Sequence, residues 1–130
     1  GGLRVTQRPG PQNALGQMKL DMPNPFTVYL HDTANKNLFD EVQRTFSHGC
    51  IRTDNPFGLA AGLLAPSDWD RAKIDSIVAT RQTRRIPLQT PIPVYIVYLT
   101  AIADPVTGVQ YLDDPYKLDA ATAAQMKARR

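Results

Sequence analysis

The sequence predicts a β-rich α+β fold with a mostly antiparallel sheet, and three observations lead there. Short alternating or β-branched segments lie on both sides of a pair of helix signals. Eleven prolines cut the 130 residues into short elements. Turn-length connections between consecutive strand-like segments favour hairpins. About five strands and three helices follow from this reading.

Leu3 to Gln7 is a candidate strand, ended by the Pro9-Gly10-Pro11 turn. Gln17 to Met22 alternates polar and apolar residues, the pattern of a half-buried strand. Pro23 to Pro25 is a turn, and Phe26 to His31 is the next strand. Asp32 to Asn37 is polar and reads as loop, and Leu38 to Phe46 is irregular. Asn55 before Pro56 supplies an N-cap and a first-turn proline for a helix that runs to Ala65 and stops at Pro66. Ser67 to Asp70 resembles a capping box for a second helix that reaches about Ala79. Arg81 to Thr90 is a polar connection. Pro93 to Ile102 is the strongest strand signal, apolar on both faces, so a central buried strand is expected. Asp104 to Gly108 forms a hairpin loop into Val109 to Leu112, and Asp119 caps a final helix from Ala120 to about Arg129.

Composition excludes several classes. With 42% hydrophobic and 21% charged residues the chain is an ordinary globular domain, read as a single domain over residues 1–130. No apolar run approaches the ~18 residues of a membrane span. The net charge is +3 and the pI about 9.2. Arginines cluster at Arg81, Arg84 and Arg85, and a basic tail holds Lys127, Arg129 and Arg130. No stacking aromatics interleave with either, so no nucleic-acid partner is expected. The chain opens Gly1-Gly2-Leu3 without Met or a signal-peptide pattern, which reads as an excised or processed piece.

The chemistry concentrates in one window. The single cysteine, Cys50, lies in Ser47-His48-Gly49-Cys50-Ile51-Arg52, and the other histidine, His31, ends a predicted strand 19 residues upstream. A thiol must ionise before it attacks, and an imidazole is the usual base. One cysteine permits no internal disulfide. Gly49 lets the backbone pass closely, and the N–H groups of Gly49 and Cys50 are candidates for an oxyanion hole. A helix starting after Asn55 would favour a thiolate near its N-terminus. Two other readings stand beside this one. A lone cysteine is often a small buried hydrophobe, against which the polar neighbours argue. A zinc site from His31, His48 and Cys50 offers three ligands in a spacing unlike the common zinc patterns. Neither a metal nor an organic cofactor is expected.

The pattern of His31, fifteen residues, then Ser47-His48-Gly49-Cys50 resembles the signature of L,D-transpeptidases of the YkuD type. Gly10 to Gly16, Pro23 to Pro25, Tyr29 to Thr33, Leu38-Phe39 and Pro91 to Tyr95 are similar to its larger periplasmic, YcbB-like branch. The resemblance implies the fold of that catalytic domain, with helices after the cysteine motif and at the C-terminus. It also implies that the chain is the C-terminal portion, lacking N-terminal strands and a capping subdomain. These would come from elsewhere, such as a complementary part of the catalytic domain.

In the implied mechanism Cys50 is the nucleophile and His31 the general base, oriented by the backbone carbonyl of Asp32. Gly49 shapes the oxyanion hole with support from His48, while Ser47, Arg52 and Tyr29 contact substrate. A tetrapeptide stem of peptidoglycan would form a thioester with loss of D-alanine, and a diaminopimelate amine would resolve it as a 3→3 cross-link. Water or a lipoprotein lysine as acceptor is the enzymatic alternative, and a non-catalytic peptidoglycan-binding fragment is the alternative of another class. Carbapenem-type β-lactams are expected inhibitors. The implied location is the periplasm, with anchoring through an N-terminal segment of the full protein.

Overall fold

The structure is a computed structural model that describes residues 2–3, 5–47 and 49–129. The chain divides into two compact units, Gly1–Pro93 and Val94–Arg130.

The first unit carries a three-stranded sheet of two-residue ladders: β1 (Lys19–Leu20), β2 (Leu30–His31) and β3 (Ile51–Arg52), in the order β1-β2-β3. β1 and β2 are antiparallel, with Lys19 opposite His31 and Leu20 opposite Leu30. β2 and β3 are parallel, with Leu30 opposite Ile51 and His31 opposite Arg52. Flanking bonds lengthen both ladders: Asp32 N–H to the Met18 carbonyl (2.8 Å), Ile51 N–H to Tyr29 (3.0 Å) and Thr53 N–H to His31 (2.8 Å).

Two expectations are corrected here. The strands between residues 19 and 52 are N-terminal strands, so the chain does not lack them. The sheet around the histidine and the cysteine is mixed rather than mostly antiparallel. The reason lies in the connections. The nine residues 21–29 make an antiparallel return, whereas residues 32–50 form a link long enough for a parallel crossover. A four-residue 3₁₀ turn, Lys36–Phe39, lies within that link.

After β3 come α1 (Pro56–Leu64), a 3₁₀ turn at Ala65–Ser67, and α2 (Arg71–Ala79). Asn55 caps α1 by accepting from Gly58 N–H at 2.9 Å, and Pro56 occupies the first turn, where no N–H is needed. The cap of α2 is Asp70, accepting from Lys73 N–H at 2.8 Å, three residues beyond the Ser67 start that the sequence suggested. Pro66 and the left-handed Asp68 (φ 64°) consume those residues in the turn. Ala60 and Leu64, one turn apart on α1, pack with Ile74 of α2 to form the buried core. Met18, Phe57, Ala61, Trp69, Ile86 and Leu88 surround it. Met18 comes from the residue before β1, so this core braces the sheet as well as the helices.

The second unit holds a hairpin of β4 (Ala101–Asp104) and β5 (Gly108–Tyr111), followed by α3 (Asp119–Ala128). Ala101 faces Tyr111 and Asp104 faces Gly108. The Asp104 carboxylate accepts from Val106 and Thr107 N–H at 2.8 Å each, closing the turn. Asp114 accepts from the N–H groups of Leu118 and Asp119, at 3.1 and 2.8 Å, and so caps α3. Asp119 was expected in that role but lies in the first turn instead.

The expected central strand from Pro93 is also corrected: ladder structure begins at Ala101, and Tyr95 and Val97 are 85% and 70% exposed. An apolar run on both faces becomes a buried strand when layers cover both sides. The hairpin supplies one partner strand, over four residues. Of the candidate first strand Leu3 to Gln7, Arg4 lies outside the described residues, and Val5 to Gln7 form no strand.

Candidate active site

Cross-strand partners share one face of a sheet, and successive residues alternate between faces. The register therefore puts Lys19, His31 and Arg52 on one face, and Leu20, Leu30 and Ile51 on the other. Stepping one residue back along the parallel pair sets Cys50 beside Tyr29, two residues from His31 on the same face. Contacts agree with this placement. The Tyr29 ring meets the His31 ring edge-on at 5.9 Å, and Lys19 Nζ lies 4.5 Å above the centre of the Tyr29 ring. The Tyr29 hydroxyl is pushed above its ordinary pKa, chiefly by its hydrogen bond with Cys50, then by burial and the charge of Cys50, with Lys19 opposing. Tyr29 thus stays protonated at neutral pH and can donate to the sulfur.

His31 is buried, and its Nδ1 stands 2.5 Å from the carbonyl oxygen of Asp32. A carbonyl only accepts, so Nδ1 carries the proton and Nε2 presents a lone pair. This is the tautomer a general base needs. Asp32 is itself buried, and its carboxylate accepts from Gln17 N–H at 2.9 Å while Lys36 Nζ lies 2.9 Å from its other oxygen. Burial pushes this carboxyl up. The hydrogen bond from Gln17 N–H, the Lys36 ammonium beside Oδ1 and the Thr33 N–H outweigh that and leave it below its ordinary value, although Oδ1 itself has no hydrogen-bond partner among the described residues.

Cys50 is a half-buried free thiol. The turn before it is braced by Ser47, whose hydroxyl donates to the Cys50 carbonyl at 2.5 Å and accepts from Gly49 N–H at 3.2 Å. Gly49 adopts φ +146°, where a side chain would be strained. In this state Ser47 occupies the Gly49 N–H, so a substrate oxyanion would have to compete with that hydroxyl for it. Arg52 is half-buried on the thiol's face. His48, expected as support and as a ligand in the zinc alternative, lies outside the described residues.

Sequence reasoning missed Lys36, Lys19 and Gly16. Lys36 follows Asp32 by four residues, an ion-pair spacing that was legible within a segment read as polar loop. Lys19 alternates with Leu20 in β1, and its place over Tyr29 depends on strand pairing that no local signal encodes.

A thiol beside a phenol, on one face with a Nδ1-protonated imidazole, is equipped for nucleophilic acyl transfer. Residues 2–64 match the family model YkuD, the L,D-transpeptidase catalytic domain. That match, which contains Cys50, lies in the N-terminal half of the chain, and this corrects the expectation that the chain is a C-terminal portion of such a domain. A Haemophilus influenzae protein named as a candidate L,D-transpeptidase is 37% identical over 98 residues. The alignment covers 75% of this chain and 20% of that protein, so the chain spans about a fifth of the relative it matches. The match to the catalytic-domain model spans both His31 and Cys50.

Proposed function

We propose that the protein is an L,D-transpeptidase acting on peptidoglycan stem peptides in the periplasm. The observation that carries this reading is the shared face of Tyr29, His31 and Cys50, with Nδ1 of His31 held by the Asp32 carbonyl. His31 Nε2 takes the thiol proton, and Cys50 Sγ forms a bond to the carbonyl carbon of the third stem residue. The amide bond to the terminal D-alanine breaks, and His31 returns the proton to the departing amine. A diaminopimelate amine of a second stem then attacks the thioester, forming the 3→3 amide as the C–S bond breaks and the thiol is restored. In this reading Arg52 meets a stem carboxylate. Carbapenem-type β-lactams acylate the same sulfur.

The test is incubation of the purified protein with disaccharide-tetrapeptide, followed by mass spectrometry. Cross-linked dimer and free D-alanine are expected with the wild type and neither with Cys50→Ala. Tripeptide without dimer would make water the acceptor and overturn transpeptidation. Full-size carbapenem adduct on Cys50→Ala would overturn the assignment of the nucleophile.

A further inference from the structure

The His31 arm and the Cys50 arm belong to different segments, and the paired strands between them are two residues long, tied by Ile51 N–H to Tyr29 and Thr53 N–H to His31. Such a ladder fixes register weakly, yet acyl transfer is sensitive to displacements of the order of 1 Å. A second set of contacts joins the arms. Lys36 Nζ meets Asp32 Oδ1 at 2.9 Å and also donates to the backbone carbonyls of Thr53 (3.2 Å) and Asp54. The same ammonium therefore holds the residue after His31 and the two residues after β3. The other Asp32 oxygen takes Gln17 N–H, and Gly16 packs against that carboxylate so closely that a Cβ would sit 2.3 Å from Oδ2. Gly16 is buried in the left-handed region at φ +62°, which a side chain adopts only with strain. Asp32 thus binds through its side chain on both sides and through its carbonyl to the His31 ring.

We infer that Lys36 and the Asp32 carboxylate form a positioning latch, which fixes the Asp32 carbonyl on His31 Nδ1 and locks the histidine arm to the cysteine arm. Neither side chain touches substrate. The inference rests on the proposed role of His31 as base toward Cys50.

Three cheaper explanations meet the geometry poorly. An exposed surface pair would not place one carboxylate side chain at 7% exposure. A helix i,i+4 pair would not reach carbonyls 17 and 18 residues away. A loop staple would not need a glycine shaped around the carboxylate.

The experiment compares wild type, Lys36→Met, Lys36→Arg and His31→Ala by the rate at which iodoacetamide alkylates Cys50, a readout independent of any stem peptide. A nitrogen-15 histidine spectrum reports the Nδ1-protonated tautomer of His31. Lys36→Met is expected to slow alkylation roughly tenfold and to weaken the tautomer signature, with Lys36→Arg restoring most of both. Unchanged alkylation and tautomer in Lys36→Met, with slow alkylation in His31→Ala, overturns the latch and leaves the proposed function standing. Unchanged alkylation in His31→Ala overturns both. If Lys36→Met does not fold, the Asp32→Asn, Lys36→Met pair removes the lone carboxylate charge. The same loss is expected there, and wild-type reactivity in that pair overturns the latch.

Discussion

At the residue scale, the site divides labour between atoms that react and atoms that hold them. Tyr29 shows this best, because its ring and its hydroxyl have different partners. The ring stands against His31 and under Lys19, whereas the hydroxyl's pKa is raised chiefly by Cys50. Tyr29→Phe keeps the ring contacts and deletes the donor. A hydrogen bond to a developing thiolate is worth about 1 kcal/mol in a half-exposed setting, or roughly fivefold in rate. Tyr29→Phe is therefore expected to alkylate several-fold more slowly at Cys50 than wild type, with an unchanged melting temperature. Tyr29→Ala should lose stability too. Alkylation of Tyr29→Phe at the wild-type rate would show that the hydroxyl does not assist the sulfur. The cysteine, its histidine and the glycine between Ser47 and the thiol were all legible in the sequence, because reactive groups and backbone permissiveness are properties of single residues. The buried character of Asp32 was not, since nothing in a polar loop says that a lysine four residues on will follow it inward.

At the element scale, what was legible follows how local the cause is. α1 was readable because its start is written in adjacent residues: Asn55 accepts from Gly58 N–H and Pro56 tolerates the first turn. α1 is nine residues long, too short to be stable by propensity alone, so its cap and its buried face at Ala60 and Leu64 carry it. Asn55→Ala is expected to cost about 1 kcal/mol of stability in urea denaturation, and Asn55→Asp to recover most of it. An Asn55→Ala midpoint equal to wild type would mean that packing alone sets the start of α1. The segment Val94 to Ile102 failed for the opposite reason. Its β-branched residues state a preference, but a strand needs a partner and a cover, and those are decided by other segments. The parallel return of β3 onto β2 was hidden in the same way. It depends on how residues 32–50 cross, not on anything in Ile51 or Arg52 themselves.

At the scale of the whole molecule, several long-range contacts of the first unit meet at the Asp32 carboxylate. It reaches Gln17 before β1, Lys36 in the crossover, and through Lys36 the carbonyls that follow β3. Stability should therefore answer to its ionisation. The folded carboxyl lies below its ordinary value, since the Gln17 hydrogen bond, the Lys36 charge and the Thr33 N–H overcome the cost of burial. The unfolded chain binds the proton more readily, at a pKa of about 3.9. The ionised form is thus the one that folding favours. Its contribution is complete above the unfolded value and fades as pH falls through the folded one. Asp32→Asn cannot ionise, so it should be less stable than wild type at neutral pH by an amount that is constant down to roughly pH 5. Below that the gap should narrow as pH falls through the folded value and become small beneath it, where both proteins carry a neutral group at this position. Urea midpoints of the two proteins across that range make the measurement. A gap that stays fixed through acid would mean that Asp32 acts by shape rather than charge. A gap that widens toward low pH would mean the folded carboxyl sits above its ordinary value, with burial the stronger force after all.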